Sequence, residues 1–216
     1  MRVTVIRREM LAEQIQEIEK EPYRIFHDLE EEHIRIYDEF AKQYISGILV
    51  KEKVKSWKAQ GYVVISQTGT GKSTWVTRTI AEILLEDRSF GLLVTPRVAL
   101  TLQYKKELAK LYCPELLEEL TEQGLHKRSE YGPFDVYSFQ EFVSYSKVQA
   151  VKNKGYKFVI LDEVHAFVGD AAFNPFTEMM FRFLLKDVGK SARRVYLTAT
   201  PEIDRKSTRL NSSHQD

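Results

Sequence analysis

Eight consecutive residues, Gln67-Thr68-Gly69-Thr70-Gly71-Lys72-Ser73-Thr74, place two glycines, a lysine and hydroxyls in an order suited to holding phosphate. Gly69 and Gly71 allow the backbone angles that turn successive N–H groups inward, which makes a concave nest for an anion. A helix starting near Lys72 aims the positive end of its dipole at the same spot. Lys72 can then reach the β- and γ-phosphates of a nucleotide, and the Ser73 hydroxyl can ligate Mg²⁺. The strict form of this loop has glycine six residues before the lysine; Ser66 stands there instead. The chemistry survives that departure, because Gly69 and Gly71 make the turn.

A second chemical group closes the apolar run Phe158-Val159-Ile160-Leu161 with Asp162-Glu163-Val164-His165. A carboxylate at the tip of a hydrophobic strand is costly unless something positive meets it, and a Mg²⁺ on nucleotide phosphates would do so. Asp162 then serves as a magnesium ligand. Glu163 polarises the water that attacks the γ-phosphate, since phosphoryl transfer asks for in-line positioning more than covalent help. Taken alone, such a pair is more often a helix N-cap; its place ninety residues after Lys72 favours catalysis. Thr198-Ala199-Thr200-Pro201 ends another apolar run. Its hydroxyls either satisfy turn amides or hydrogen-bond the acidic strip and move with nucleotide state.

These groups need elements that end at one place. Short apolar runs at Tyr62–Ser66, Gly91–Thr95, Phe134–Ser138, Lys157–Leu161 and Arg194–Thr198 lack polar alternation, as strands buried on both faces do. Helix-like stretches lie between them, at Ser73–Leu85, Val98–Leu111 and Gln140–Val151. The alternation predicts an α/β domain over residues 61–204, a parallel sheet flanked by helices, with ligands beyond the carboxyl ends of its strands. Upstream, Leu11, Ile15, Ile18, Ile25, Phe26, Leu29 and Ile34 recur at helical spacing, so residues 1–60 are expected to form a helical segment, with Pro22 dividing two helices. Residues 9–39 carry eleven acidic and three basic side chains, which suits a solvated helix face.

The 216 residues are 43% hydrophobic and 29% charged, which excludes a disordered tail or a fibre. Thirty-two basic against 31 acidic side chains leave +1, so any basic track for nucleic acid must be local. One cysteine, Cys113, permits no internal disulfide and fits a reducing, cytoplasmic setting. No apolar run approaches the roughly 18–20 residues of a membrane helix, and the N-terminus lacks the apolar core of a signal peptide.

Taken together, SQTGTGKST at 66–74, TPRVALTLQ at 95–103, DVYSF at 135–139, LDEVH at 161–165 and LTATP at 197–201 resemble motifs I, Ia, Ic, II and III of the superfamily 2 helicases, in the same order and spacing. Serine at position 66 is usual in that superfamily, and DEVH resembles its DEAH/DExH branch rather than the DEAD-box one. The resemblance implies a RecA-like P-loop domain, the first motor domain of an ATP-driven helicase or translocase. Its cofactors would be ATP and Mg²⁺, and its partner DNA or RNA, DNA favoured, held by the backbone. Gln67, Thr68, Gly69, Thr70, Gly71, Lys72, Ser73 and Thr74 would hold nucleotide, and Ser73 and Asp162 the metal. Lys72, Asp162 and Glu163 would carry catalysis, while His165 would communicate with Thr198 and Thr200. Pro96 and Arg97 match the motif that contacts the polymer. A guanidinium just beyond a strand end suits a phosphate, or it caps its own loop. Ser138 and Gln140 either bond phosphates or start the following helix.

Adenine recognition falls to Tyr37 and Gln43 as candidates, against core packing and surface exposure as the plainer accounts. Lys51, Lys53, Lys55 and Lys58 either touch nucleic acid or form a solvated helix end. Hydrolysis in this superfamily takes place between two RecA-like domains, and only fifteen residues follow Pro201. The resemblance therefore implies a C-terminally truncated chain, inactive or nearly so by itself. Residues 205–216 are expected to be a disordered tail, whose KSTRLNSSH run resembles translated sequencing-adapter DNA; a flexible basic tail is the alternative. Two other functions share these motifs: a packaging or restriction motor that drives a nuclease, and a non-enzymatic nucleotide-binding module. Glu163 argues against the latter.

Overall fold

A strand that is apolar at every residue is satisfied only when both of its faces are covered, and the five apolar runs form the middle of one twisted sheet. The computed structural model describes residues 3–6, 32–36, 44–119, 121–171 and 174–199. In chain order the elements are β1 (Val3–Ile6), β2 (Glu32–Ile36), α1 (Lys51–Lys55) and β3 (Gly61–Ile65). Next comes α2, which runs unbroken through Lys72–Trp75, a π-helical turn at Val76–Ile80, and Ala81–Glu86. Then follow β4 (Gly91–Thr95), α3 (Val98–Tyr112), α4 (Glu115–Glu119), α5 (Glu122–Lys127), β5 (Glu130–Tyr131) and β6 (Phe134–Ser138). The remainder is α6 (Tyr145–Lys152), β7 (Phe158–Leu161), α7 (Val164–Ala171), α8 (Pro175–Phe183) and β8 (Arg193–Thr198). The stretch expected as one helix from Gln140 is broken: Phe139–Val143 is a 3₁₀ turn, and extended Ser144 separates it from α6.

The strand order is β1-β2-β3-β8-β7-β4-β6-β5, parallel throughout except for the short β5 against β6. β8, last in sequence, is inserted between β3 and β7. Period two divides every central strand between two cores. Tyr62, Val64, Leu93, Val136, Ile160, Val195 and Leu197 face α2 and α3. Val63, Ile65, Leu92, Val94, Val159, Leu161 and Tyr196 face Val164 and Phe167 of α7 and Phe181 of α8. The chain is thus the expected α/β fold, a RecA-like P-loop sheet flanked by helices.

The helical expectation for residues 1–60 needs correction. Val3–Ile6 and Glu32–Ile36 are parallel strands that extend the sheet beyond β3. Glu32-His33-Ile34-Arg35-Ile36 alternates with period two, and pairing with β3 satisfies a backbone that a short isolated helix would leave marginal. The other residues of 1–43 lie outside the described ones. Ile45, Leu49, Val54 and Trp57 are buried in the same core as one sheet face, so the helical stretch before Gly61 packs into the domain. Lys51 Nζ lies 2.6 Å from Glu82 and 2.7 Å from Glu86 on α2, and Lys55 also pairs with Glu86. These two lysines fasten α1 to α2. Arg193 at the start of β8 donates to the carbonyls of Trp57 (2.7 Å) and Lys55 (3.0 Å), closing the other side of α1.

Gly91 opens β4 where no side chain fits: a Cβ there would stand 2.6 Å from the Phe134 ring and 2.8 Å from Leu84 Cδ1. Both neighbours are core residues. Gly91→Ala is expected to destabilise the domain by about 1–3 kcal/mol through overpacking. A urea midpoint equal to the parent's would refute the tight fit.

Candidate functional site

β3 ends at Ile65, and Ser66 to Gly71 carry the chain to α2. Gly69 (φ 85°) and Gly71 (φ 79°) both take the left-handed conformation, which side chains other than glycine resist. Gly71 is the N-cap of α2, so the first N–H groups of a long helix open towards the loop. The loop is latched from within: Thr70 Oγ1 donates to Gln67 O (2.8 Å) and lies 3.0 Å from Ser66 Oγ. Ser66 thus contributes a hydroxyl that glycine could not.

Lys72 folds back over this nest and donates to the carbonyls of Ser66 (2.9 Å) and Gln67 (3.0 Å). Only 8% of it is exposed. Burial lowers its pKa, opposed by the carboxylates of Glu163 and Asp162. Those carbonyls occupy the ammonium where a phosphate would otherwise satisfy it. Gln67, Thr68, Gly69 and Thr74 are exposed around the rim.

On β7 the chain leaves the sheet at Asp162, whose N–H still donates to Val94 O (3.0 Å). The carboxylate is buried, 5% exposed. Burial raises its pKa, while the hydrogen bond from Tyr104 acts the other way. Oδ2 accepts from Tyr104 Oη at 2.7 Å and Oδ1 from the Glu163 N–H at 2.8 Å. Each oxygen keeps lone-pair capacity for a cation. Ser73 opens α2 at the end of the loop. A carboxylate and a hydroxyl beside an anion nest make an all-oxygen donor set, which fits Mg²⁺. Among the described residues no three His, Cys, Asp or Glu side chains gather, so phosphate and water would complete its coordination.

Glu163 has φ 51°, a left-handed conformation that costs a non-glycine residue on the order of 1 kcal/mol or more. Its carbonyl accepts from Ala166 N at 2.9 Å, so it does begin α7. Its side chain does something else: Oε2 lies 3.2 Å from His165 Nδ1, which is also 3.1 Å from Thr198 Oγ1. His165 therefore bridges the acidic pair and the end of β8. Ser66 N donates to Thr198 O at 3.0 Å, so that strand end also touches the phosphate loop. Thr200 lies outside the described residues, as do Tyr37, Gln43 and the 205–216 tail.

Pro96 and Arg97 follow β4. The Arg97 carbonyl accepts from Thr101 N (3.0 Å), Thr101 Oγ1 (3.1 Å) and Thr95 Oγ1 (3.1 Å), which fixes the loop while Arg97 itself is exposed. Gln140 reaches across from β6 and donates to Pro96 O at 2.8 Å. Ser138 is corrected: it is 1% exposed, and its hydroxyl and N–H both donate to Glu141. Of its two readings it takes the second, starting the 3₁₀ turn, and is not available to a polymer.

Two residues escaped the sequence reading. Tyr104 sits inside a helix at a spacing that reads as core, and only its partner shows otherwise. Tyr44 is 65% exposed, and its ring lies against Gly71, 3.1 Å from where a Cβ would stand. Its neighbour Ile45 donates to Thr70 O (2.9 Å), and Trp75 Nε1 to Leu49 O (2.8 Å), so the upstream segment is tied to the loop. Tyr44 is an aromatic upstream of the glycines, one position from Gln43 and seven from Tyr37.

No helix among the described residues is long and apolar enough to cross a membrane. No curated protein matches the chain. The family model for DEAD/DEAH box helicases matches residues 42–208, from just before Tyr44 to beyond β8. With a parallel sheet that lines up its nucleotide loop and acidic pair at one edge, this chain belongs to the DEAD/DEAH box helicase family.

Proposed function

We propose that the chain is the first motor domain of a DExH-type, ATP-dependent nucleic-acid helicase or translocase. One observation carries the reading: consecutive strands β3, β8, β7, β4 and β6 bring the phosphate loop, Thr198, Asp162–Glu163, Arg97 and Gln140 side by side along one edge. A nucleotide would lie at one end of that row and the polymer backbone at the other.

In this reading Lys72 leaves the Ser66 and Gln67 carbonyls for the β- and γ-phosphates, while the loop amides and the α2 terminus hold the remaining oxygens. Ser73 and Asp162 would hold Mg²⁺, which when bound neutralises charge developing between those phosphates. Glu163 orients a water in line with the γ-phosphorus and accepts its proton; the γ-phosphorus–oxygen bond breaks and ADP keeps the electron pair. His165, between Glu163 and Thr198, senses that proton through the same nitrogen that faces the hydroxyl. Tyr44 offers the adenine a stacking face beside Gly71. Arg97 pairs with backbone phosphates, its loop held by Gln140. The γ-phosphate would need arginines from a second RecA-like domain for rapid turnover, so this chain alone is expected to bind Mg-ATP without unwinding duplexes.

Lys72→Ala is expected to abolish tight Mg-ATP binding, and calorimetry that finds an unchanged affinity would remove the phosphate-loop assignment. In a protein carrying both motor domains, Glu163→Gln should retain nucleotide binding and lose about 10²–10⁴ in turnover. Equal steady-state rates would refute proton acceptance by Glu163. Arg97→Ala should weaken binding alike across sequences and reduce the salt slope by about one. Loss confined to particular sequences would instead mean that Arg97 contacts bases.

A further inference from the structure

Tyr104 stands in the second turn of α3, is 1% exposed, and touches the carboxylate read as a metal ligand. Its hydroxyl donates to Asp162 Oδ2 at 2.7 Å. A buried tyrosine hydroxyl needs a partner, but packing alone can be content with a backbone carbonyl. Tyr131 donates to Leu125 O (2.6 Å) in that way, and the buried carboxylate that Tyr156 meets, Asp135, is also paired with Lys154 at 2.8 Å. Tyr104 is committed to a carboxylate that is itself buried and that stands at the tip of a strand from another part of the chain.

The geometry at Asp162 explains what this contact can do. Oδ1 is fixed by the Glu163 N–H at 2.8 Å; without a second contact the carboxylate could still turn about that point. The Tyr104 hydroxyl fixes Oδ2 and so sets the plane in which the remaining lone pairs lie. One phenol oxygen from α3 therefore holds the orientation of a carboxylate at the tip of β7.

We propose that Tyr104 is a positioning residue that aligns Asp162 for a divalent cation. The inference rests on the Mg-ATP reading above and adds to it a residue that touches neither nucleotide nor metal. Groups that orient a metal ligand from behind change metal affinity by about 10–100-fold when removed.

Tyr104→Phe tests it, since the ring stays and only the hydroxyl goes. A fluorescent ADP analogue titrated onto the 216-residue chain, first in EDTA and then over a magnesium series, separates nucleotide affinity from metal affinity. Y104F should melt cooperatively and bind the analogue in EDTA within about twofold of the parent. Its half-saturating magnesium concentration should rise about tenfold. In an Asp162→Asn background the same change should add no further shift, because Tyr104 acts through that carboxylate. A magnesium half-saturation within twofold of the parent overturns the proposal. So does an undiminished extra shift in the D162N background, or a Y104F chain without a cooperative melt, which would assign the hydroxyl to packing. Lys72→Ala is the control: a parent that binds the analogue when K72A does not keeps the Mg-ATP reading even if Y104F is silent. A parent that binds no nucleotide overturns both.

Discussion

A carboxylate removed from water must be answered by charge or hydrogen bonds, and the carboxyl edge of this sheet is built around one that is. Asp162 receives the Tyr104 hydroxyl from α3 and the N–H of its own neighbour, and Lys72 stands close enough to draw its pKa down against the pull of burial. The same pair works in the other direction, for the two carboxylates hold up a lysine that desolvation pushes down. Each half would be costly alone. They stand after β3 and β7, with β8 between those two strands.

That relation is available only because the strands run the same way. In a parallel sheet every strand delivers its last residue to one edge, so residues far apart in sequence become neighbours by topology alone. Thr198 shows the economy of this: its carbonyl accepts from Ser66, its hydroxyl faces His165, and it belongs to neither the loop nor the acidic pair. The left-handed turn at Glu163 completes the arrangement, swinging the chain into α7 while its side chain stays with His165.

Much of this was legible beforehand. The five apolar runs match the five central strands almost residue for residue, because full burial on both faces leaves no polar position to blur the pattern. The phosphate loop was visible for a related reason: its glycines answer a backbone demand that few other residues meet. What stayed hidden depended on distant partners. The place of β8 between β3 and β7 has no local signature. Tyr104 has the spacing of a core residue and reveals itself only through Asp162. The hydrogen bond between Ser66 and Thr70 likewise has no mark in the sequence. Glu32–Ile36 offered too short an alternation to displace a longer helical pattern upstream.

The sheet is also a ruler. Neighbouring strands are spaced by about 4.8 Å, so three intervals from β3 to β4 set the phosphate loop and Arg97 roughly 14 Å apart in the plane of the sheet. That gap is wider than any side chain here can span. A change confined to the Arg97 side chain therefore reaches the glycines after β3 only through the strands and helices between them.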